Sequence, residues 1–318
     1  MQKLDMSEGS ARGVSTLETM NVALRRFSEV RRRPLLVMYY PDAYGHIDDS
    51  DVKDLYEEFR SRGVHRDNKL EKLDVIIHTL GGSPNAAYLL AQVVRGMAKN
   101  VSILVPEYAY SGGTLFSMCG NEILFGDNAC LSPIDITLTA AESGDEFELL
   151  NVDYYMKFTR DCLAMVLDVM KQKYDAGDFP METHVESELL VEMVKQVTAH
   201  NLGKFFRERT LTGHYAERLL LDYMFQTANN KNTVKDKIIQ RILFELPAHE
   251  FDMDFPICAE LGLQVKQMTI RESDTSKAII EQLNELTLQG LICPDDEGNL
   301  KVPYFKLYAG PRPRPARR

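Results

Sequence analysis

The chain lacks any apolar run long enough to cross a bilayer or to act as a secretory leader. Its longest apolar stretches are strand-length, and it starts Met-Gln-Lys-Leu-Asp-Met-Ser-Glu. A cytoplasmic protein without a membrane span is therefore expected. Cysteine is sparse and scattered. The five cysteines, at 119, 130, 162, 258 and 293, form no CxxC pair and no Cys/His cluster at metal-ligand spacing, so no disulfide framework, no metal and no cofactor is expected. Positive charge is in deficit, with 37 Lys and Arg against 47 Asp and Glu. A surface of net negative sign repels a phosphate backbone, so a nucleic-acid partner is not expected. Nor does any internal repeat appear.

What is present is enough apolar material for a substantial core: 318 residues, 44% of them hydrophobic. Leu17, Met20, Leu24 and Phe27 recur at helical spacing and predict a helix from Thr16 to Glu29, closed by Arg31-Arg32-Arg33-Pro34. The runs 34–40, 73–79 and 101–106 read as buried strands, and Glu122 to Phe125 as a short fourth. Between them helices are expected at about Asp49 to Arg62, Pro84 to Met97 and Gly112 to Cys119. Strands alternating with helices imply parallel pairing in an α/β core. Beyond residue 145 the pattern turns helical, at about 150–175, 184–210 and 216–245. A further helix from Asp274 is followed by Gly290-Leu-Ile-Cys-Pro, a turn at 295–299 and a strand at Leu300 to Leu307. The Pro/Arg-rich residues 311–318 read as a disordered tail.

Two turns carry the chemistry. Strand 73–79 runs into Gly81-Gly82, with Ser83 placed to cap a helix beginning at Pro84. Two glycines there leave backbone N–H groups unobstructed, which suits an anion or oxyanion as well as a plain tight turn. Some thirty residues on, Tyr108-Ala-Tyr-Ser111-Gly112-Gly113-Thr114 again joins a strand to a helix. Ser111 could be a simple N-cap. Yet two glycines directly after a cap weaken a helix start unless the backbone must approach something closely, and a hydroxyl there could act as a nucleophile.

In order and spacing, His78-Thr-Leu-Gly-Gly82, Val105-Pro-Glu-Tyr-Ala-Tyr-Ser-Gly-Gly-Thr114 and Leu131-Ser-Pro-Ile-Asp135 resemble the serine dehydrogenase proteinase (SDH) family. That family is a branch of the ClpP/crotonase superfamily related to signal peptide peptidase A. The resemblance covers residues 34–140 and continues faintly to about 266. It implies a ClpP/crotonase-like core of repeated β-strand/α-helix units with a helical C-terminal half. It also implies Ser111 as nucleophile, with an oxyanion hole from the N–H groups of Gly112 and Gly82, Gly81 being the lesser candidate. The sequence departs from the family's pattern at Leu80 (usually Pro), Ser132 (Gly) and Ile136-Thr137 (often Pro-Gln).

ClpP carries a histidine soon after its serine, whereas residues 133–137 here contain none. Relatives of the signal peptide peptidase type use a lysine, and Lys157 lies in the matching window. A lysine titrates at about 10.4 in water, so it serves as base only if burial lowers its pKa. Asp153, Lys157 and Asp161 at successive i,i+4 positions also describe a plain solvated ion-pair face. His249 and His78 are alternative bases, and Asp135 or Asp153 could orient the one used. The expected function is thus a serine endopeptidase of Ser-Lys type acting on a peptide or protein, assembled as a homo-oligomer, trimer or hexamer, by resemblance. The alternatives are an inactive ClpP-fold scaffold and a crotonase-type acyl-thioester enzyme. The expected organisation is a helical arm at 1–32, a peptidase domain at 33–270, a helix-hairpin extension at 271–310 and the tail at 311–318.

Overall fold

Three apolar runs form the middle of one sheet in the computed structural model, which describes residues 11–41, 46–134, 137–139, 146–175, 199–246, 251–286, 288–294 and 306–307. They are β1 (Leu35–Tyr40), β2 (Leu70–Thr79) and β3 (Ala98–Val105), buried along most of their length. Strands covered on both faces require this composition. β1 runs parallel to β2 with Val37 opposite Ile76, and β2 parallel to β3 with Val75 opposite Ile103. Parallel neighbours need crossovers. These are α2 (Asp49–Ser61), closed by an Asp48/Asp51 capping box, and α3 (Pro84–Met97), capped by Ser83. β5 (Glu122–Phe125) and β9 (Val265–Gln267) extend the sheet in parallel, while β10 (Leu288–Ile292) adds to β1 in antiparallel sense and β11 (Lys306–Leu307) adds to β10. The expected parallel α/β core is present.

Alternation along the strands serves two cores. Leu36, Met38, Tyr40, Val75 and Ile77 enter the larger cluster under α2 and α3, whereas Val37, Tyr39, Ile76, Leu104 and Leu124 face the other side. There they meet Met20, Leu24 and Phe27 of α1 (Ala11–Arg31) and Ile279 and Leu283 of α9 (Ile270–Leu286). The segments expected as an arm and an extension together cover the sheet's second face.

The strand at Leu288–Ile292 falls on the segment Gly290-Leu-Ile-Cys-Pro, to which the sequence pattern assigns no element, its expected turn lying at 295–299. Gly290 does have φ 113°, but Leu291 and Ile292 on either side of the sheet are buried against Met38 and Val37, and that pairing decides the conformation. Of the strand expected at 300–307, only 306–307 is among the described residues. The helical half comprises α5 (Leu149–Asp175), α6 (Ala199–Leu219), α7 (Lys231–Gln240) and α8 (Phe255–Leu261). The helix expected over 216–245 is interrupted at 225–230, and each of its two pieces ends in one π turn, Leu220–Met224 and Arg241–Glu245. Residues 184–198 lie outside the described residues. Among the described residues no helix is long and apolar enough to cross a membrane.

Candidate active site

A mismatch in strand length makes the corner. β3 pairs with β2 only as far as Ile76, so the last residues of β2 need another neighbour. After Pro106-Glu107 the chain returns as β4 (Tyr108–Ala109), with Ala109 opposite Thr79 and the Tyr110 N–H donating to the Thr79 carbonyl at 2.9 Å. β6 (Cys130–Leu131) lies along the other side of β4. Two parallel strands therefore end side by side, and residues 80–82 and 110–112 leave them together.

At this corner glycine is required by contact as well as conformation. Gly82 forms a parallel bridge to Ile47, whose N–H donates to the Gly81 carbonyl and whose carbonyl accepts from the Ser83 N–H, both at 3.0 Å. The bridged residue's own N–H and C=O then point away from Ile47. Gly82 has φ 145°, and a Cβ there would fall 2.4 Å from the Ile47 backbone. Across the gap, a Cβ on Gly112 would lie 2.9 Å from the Gly82 oxygen and 3.2 Å from its nitrogen. Neither the Gly82 nor the Gly112 N–H donates to any described acceptor. Gly81 differs, since its N–H is taken by Thr79 Oγ1 at 2.9 Å. That bond corrects the grouping of Gly81 with the other two: its donor is already committed to holding the turn.

Ser111 stands between these glycines in a conformation that L-residues avoid, φ 48° and ψ −109°. Such backbone costs on the order of 1–3 kcal/mol and persists only where the surroundings impose it. Here the imposing contacts are identifiable. The Ser111 N–H donates to Ser132 Oγ at 2.8 Å, and that hydroxyl donates to the Pro133 carbonyl at 2.9 Å. Thr114 Oγ1 lies 2.9 Å from the carbonyls of Ala109 and Ser132 and accepts from the Ser132 N–H at 3.2 Å. Ser111 holds the N-cap position of α4 (Gly112–Ser117), yet its side chain makes no capping bond. The plain-cap reading therefore does not describe it. Thr79, Thr114 and Ser132 escaped the sequence reading as site residues. The signal for Thr79 and Thr114 is a hydroxyl beside a glycine turn, and for Ser132 its place where the family's pattern has Gly.

The candidate bases stand in different surroundings. Lys157 lies on α5 with its side chain exposed, and its neighbour Asp161 pairs with Arg160 at 3.1 Å. Met156 and Leu163 on the same helix are 42% and 44% exposed, so the apolar side of α5 is uncovered in the single chain. His78 is buried at the end of β2 between the rings of Tyr39 and Tyr108, with centroids at 5.2 and 4.0 Å. Burial lowers its pKa to about 4. Glu107 Oε2 is 3.2 Å from its Nδ1, a close approach without hydrogen-bond geometry. Asp135, His249 and the Asp153 side chain lie outside the described residues.

Beside the corner, the Tyr110 hydroxyl donates to Asp252 at 2.7 Å and lies 3.3 Å from Cys130 Sγ, at the edge of a cleft of about 660 Å³. Burial pushes the Cys130 thiol up to about 11. At neutral pH it is a thiol and not the nucleophilic thiolate.

Paired, unoccupied N–H groups flanking a strained serine can polarise a carbonyl and hold the negative charge that develops on its oxygen. The comparisons with known proteins agree with this class. Residues 43–222, more than half of the chain, match the family described as ClpP-like SDH-type serine proteinase, and the chain belongs to that family. It is also similar to two uncharacterized proteins of Methanocaldococcus jannaschii, MJ0137 (29% identical over 127 residues, 36% of this chain and 44% of the relative) and MJ1495 (27% over 115 residues, 32% and 39%). The chain thus spans less than half the length of either relative.

Proposed function

We propose that this chain is a serine endopeptidase acting through Ser111. The Ser111 oxygen attacks a peptide carbonyl and passes its proton to a base, and the tetrahedral oxyanion is held by the N–H groups of Gly82 and Gly112. The C–N bond then breaks, the amine leaves with the proton from the base, and water releases the acyl group from Ser111. The observation that carries this reading is the unoccupied Gly82/Gly112 donor pair beside a non-capping serine at φ 48°. Lys157 is the proposed base. Exposed as it is in one chain, it needs desolvation to act at neutral pH. The uncovered apolar residues of α5, Phe158 at 57% and Met165 at 62% exposure among them, support a homo-oligomer of trimeric or hexameric size in which that helix is covered. A cytoplasmic location is part of the same reading.

The exposure of Lys157 also favours a second reading, a catalytically silent member of the fold that serves as a scaffold. Labelling by a fluorophosphonate separates the two. The peptidase reading expects labelling of the wild type, none of Ser111→Ala, and strongly reduced labelling of Lys157→Ala. An unlabelled but folded wild type supports the scaffold, and undiminished labelling of Lys157→Ala moves the base elsewhere.

A further inference from the structure

The N–H groups of Gly82 and Gly112 belong to different turns, so their direction and their separation must be fixed by something that touches both turns. One buried side chain does. Thr79 ends β2 and is 0% exposed. Its hydroxyl acts on the first turn, accepting from the Gly81 N–H at 2.9 Å and donating to the Gly81 carbonyl at 3.2 Å. That carbonyl and the Gly82 N–H share one trans peptide unit and therefore point in opposite directions. The carbonyl end is held by Thr79 Oγ1 and by the Ile47 N–H at 3.0 Å, so the unit presents the Gly82 N–H on the side away from both.

The methyl of the same side chain acts on the second turn. A Cβ on Gly113 would fall 2.4 Å from Thr79 Cγ2, while its next neighbours, in Ala109 and Ile77, would stand at 3.4 and 3.6 Å. The methyl therefore lies flush against the start of α4, one residue beyond the Gly112 donor. Gly113 has no positive φ, so contact with Thr79, and not backbone conformation, is what calls for glycine there. The first turn also meets the nucleophile, since a Cβ on Gly81 would lie 2.9 Å from Ser111 Cβ. Threonine is the one standard residue that carries a hydroxyl and a methyl on the same Cβ.

We infer that Thr79 is a positioning residue that aims the Gly82 N–H through its hydroxyl and sets the distance to the Gly112 N–H through its methyl. The catalytic consequence rests on the peptidase reading; the geometric one does not. Two substitutions separate the halves. Thr79→Val keeps the methyl and the shape but leaves both polar groups of Gly81 without the hydroxyl. Thr79→Ser keeps the hydroxyl and opens the space that a Cβ on Gly113 would occupy.

The first arm of the test is inactivation by a fluorophosphonate, resolved into KI and kinact per folded molecule. Thr79→Val should lower kinact about 10-fold at unchanged KI, because a misaimed donor weakens the transition state and not the encounter. Gly113→Ala should lower it by a similar factor by forcing the turns apart, and adding Thr79→Ser to Gly113→Ala should recover most of that loss. A residue that merely fills space would lower the urea midpoint and leave kinact alone. The second arm needs no chemistry: [15N]glycine spectra of Ser111→Ala, in which the chain's 19 glycines report the turns directly. Gly113→Ala should displace the Gly81 and Gly82 amide resonances, and Thr79→Ser should suppress that displacement, as contacting residues do in a double-mutant cycle. Unchanged kinact in Thr79→Val overturns the inference. So do Gly81 and Gly82 resonances that ignore Gly113→Ala, or that move equally in the Thr79→Ser background. A folded wild type that takes no label sinks the peptidase reading instead, and the spectra still decide on Thr79.

Discussion

The two ends of the central sheet are held by different materials. Where β1 and β5 begin, charged side chains do the work. Buried Asp74 accepts from Arg31 at 2.6 and 3.0 Å and from Arg33 at 3.2 Å, and Arg31 continues to Glu272. Arg33 reaches Ser102, Ser102 reaches Glu122, and Glu122 meets Lys266 at 2.7 Å. The chain of contacts thus ties α1, four strands and α9 together. Where β2 and β4 end, the bonds that hold residues 79–82 and 109–114 come from Thr79, Thr114, Ser132 and main-chain groups. The contrast has a physical basis. Ion pairs in the interior hold elements firmly but bring fixed charge with them. The proposed site, if it stabilises a short-lived oxyanion, needs neutral N–H donors that no resident carboxylate occupies.

If that division is sound, damage at one end should change stability and damage at the other should change chemistry. The largest effect is expected from Asp74→Ala, which leaves Arg31 and Arg33 without their shared partner inside the sheet's charged end. Removing one member of a buried ion pair costs about 3–5 kcal/mol, to be read as a fall in the urea midpoint at neutral pH. The Ser111 acylation rate per folded molecule should be unchanged. A rate that falls along with stability would show the two ends to be coupled.

Gly82→Ala is the converse. The new Cβ would meet the Ile47 backbone at 2.4 Å from a φ of 145°, so the Gly82 N–H must turn out of place. Losing one oxyanion donor lowers the rate by about 10²–10³-fold. Stopped-flow acylation by a fluorophosphonate checks this, with Ser111→Ala as the zero.

The same contrast explains what could be read from residues alone. Apolar runs such as 34–40 and 73–79 disclosed the parallel core, because strands buried on both faces have no polar alternation to obscure them. The close backbone approach at Gly82 and Gly112 is legible because glycine beside a strand end is unusual unless backbone must come close. Strand β10 was not legible: Gly290 carries the composition of a turn, and only pairing with β1 makes it a strand. The hydroxyls of Thr79, Thr114 and Ser132 were also invisible, since a serine or threonine near a turn has many ordinary uses. The role of base comes to Lys157 from the resemblance alone, because the desolvation it needs depends on what covers α5, which one chain's sequence does not carry.

A smaller effect tests the corner through pH. His78, at the end of β2, has its pKa lowered by burial from 6.5 to about 4. Between those values the unfolded chain binds more protons at this position than the folded one, so stability rises with pH across the window and is lost as pH falls through it. The difference corresponds to about 3 kcal/mol. Urea midpoints at pH 7 and 4.5 should show it, and His78→Asn should flatten that part of the profile.

The smallest effect should come from Ser132→Ala, and it is the most specific. The substitution leaves the buried Ser111 N–H without its acceptor at 2.8 Å but adds no bulk and removes no charge. An unsatisfied buried donor costs about 1–3 kcal/mol. How that cost divides is informative. If Ser132 merely fills space, stability falls and acylation of the folded protein proceeds at the wild-type rate. If it holds Ser111 in its φ 48° conformation, the residue can relax toward ordinary backbone. The hydroxyl and the Gly112 N–H then move together, and acylation slows about 10-fold with only a small shift in the urea midpoint. The second outcome is expected, because the same hydroxyl is itself anchored to the Pro133 carbonyl and so has a fixed position from which to hold the turn.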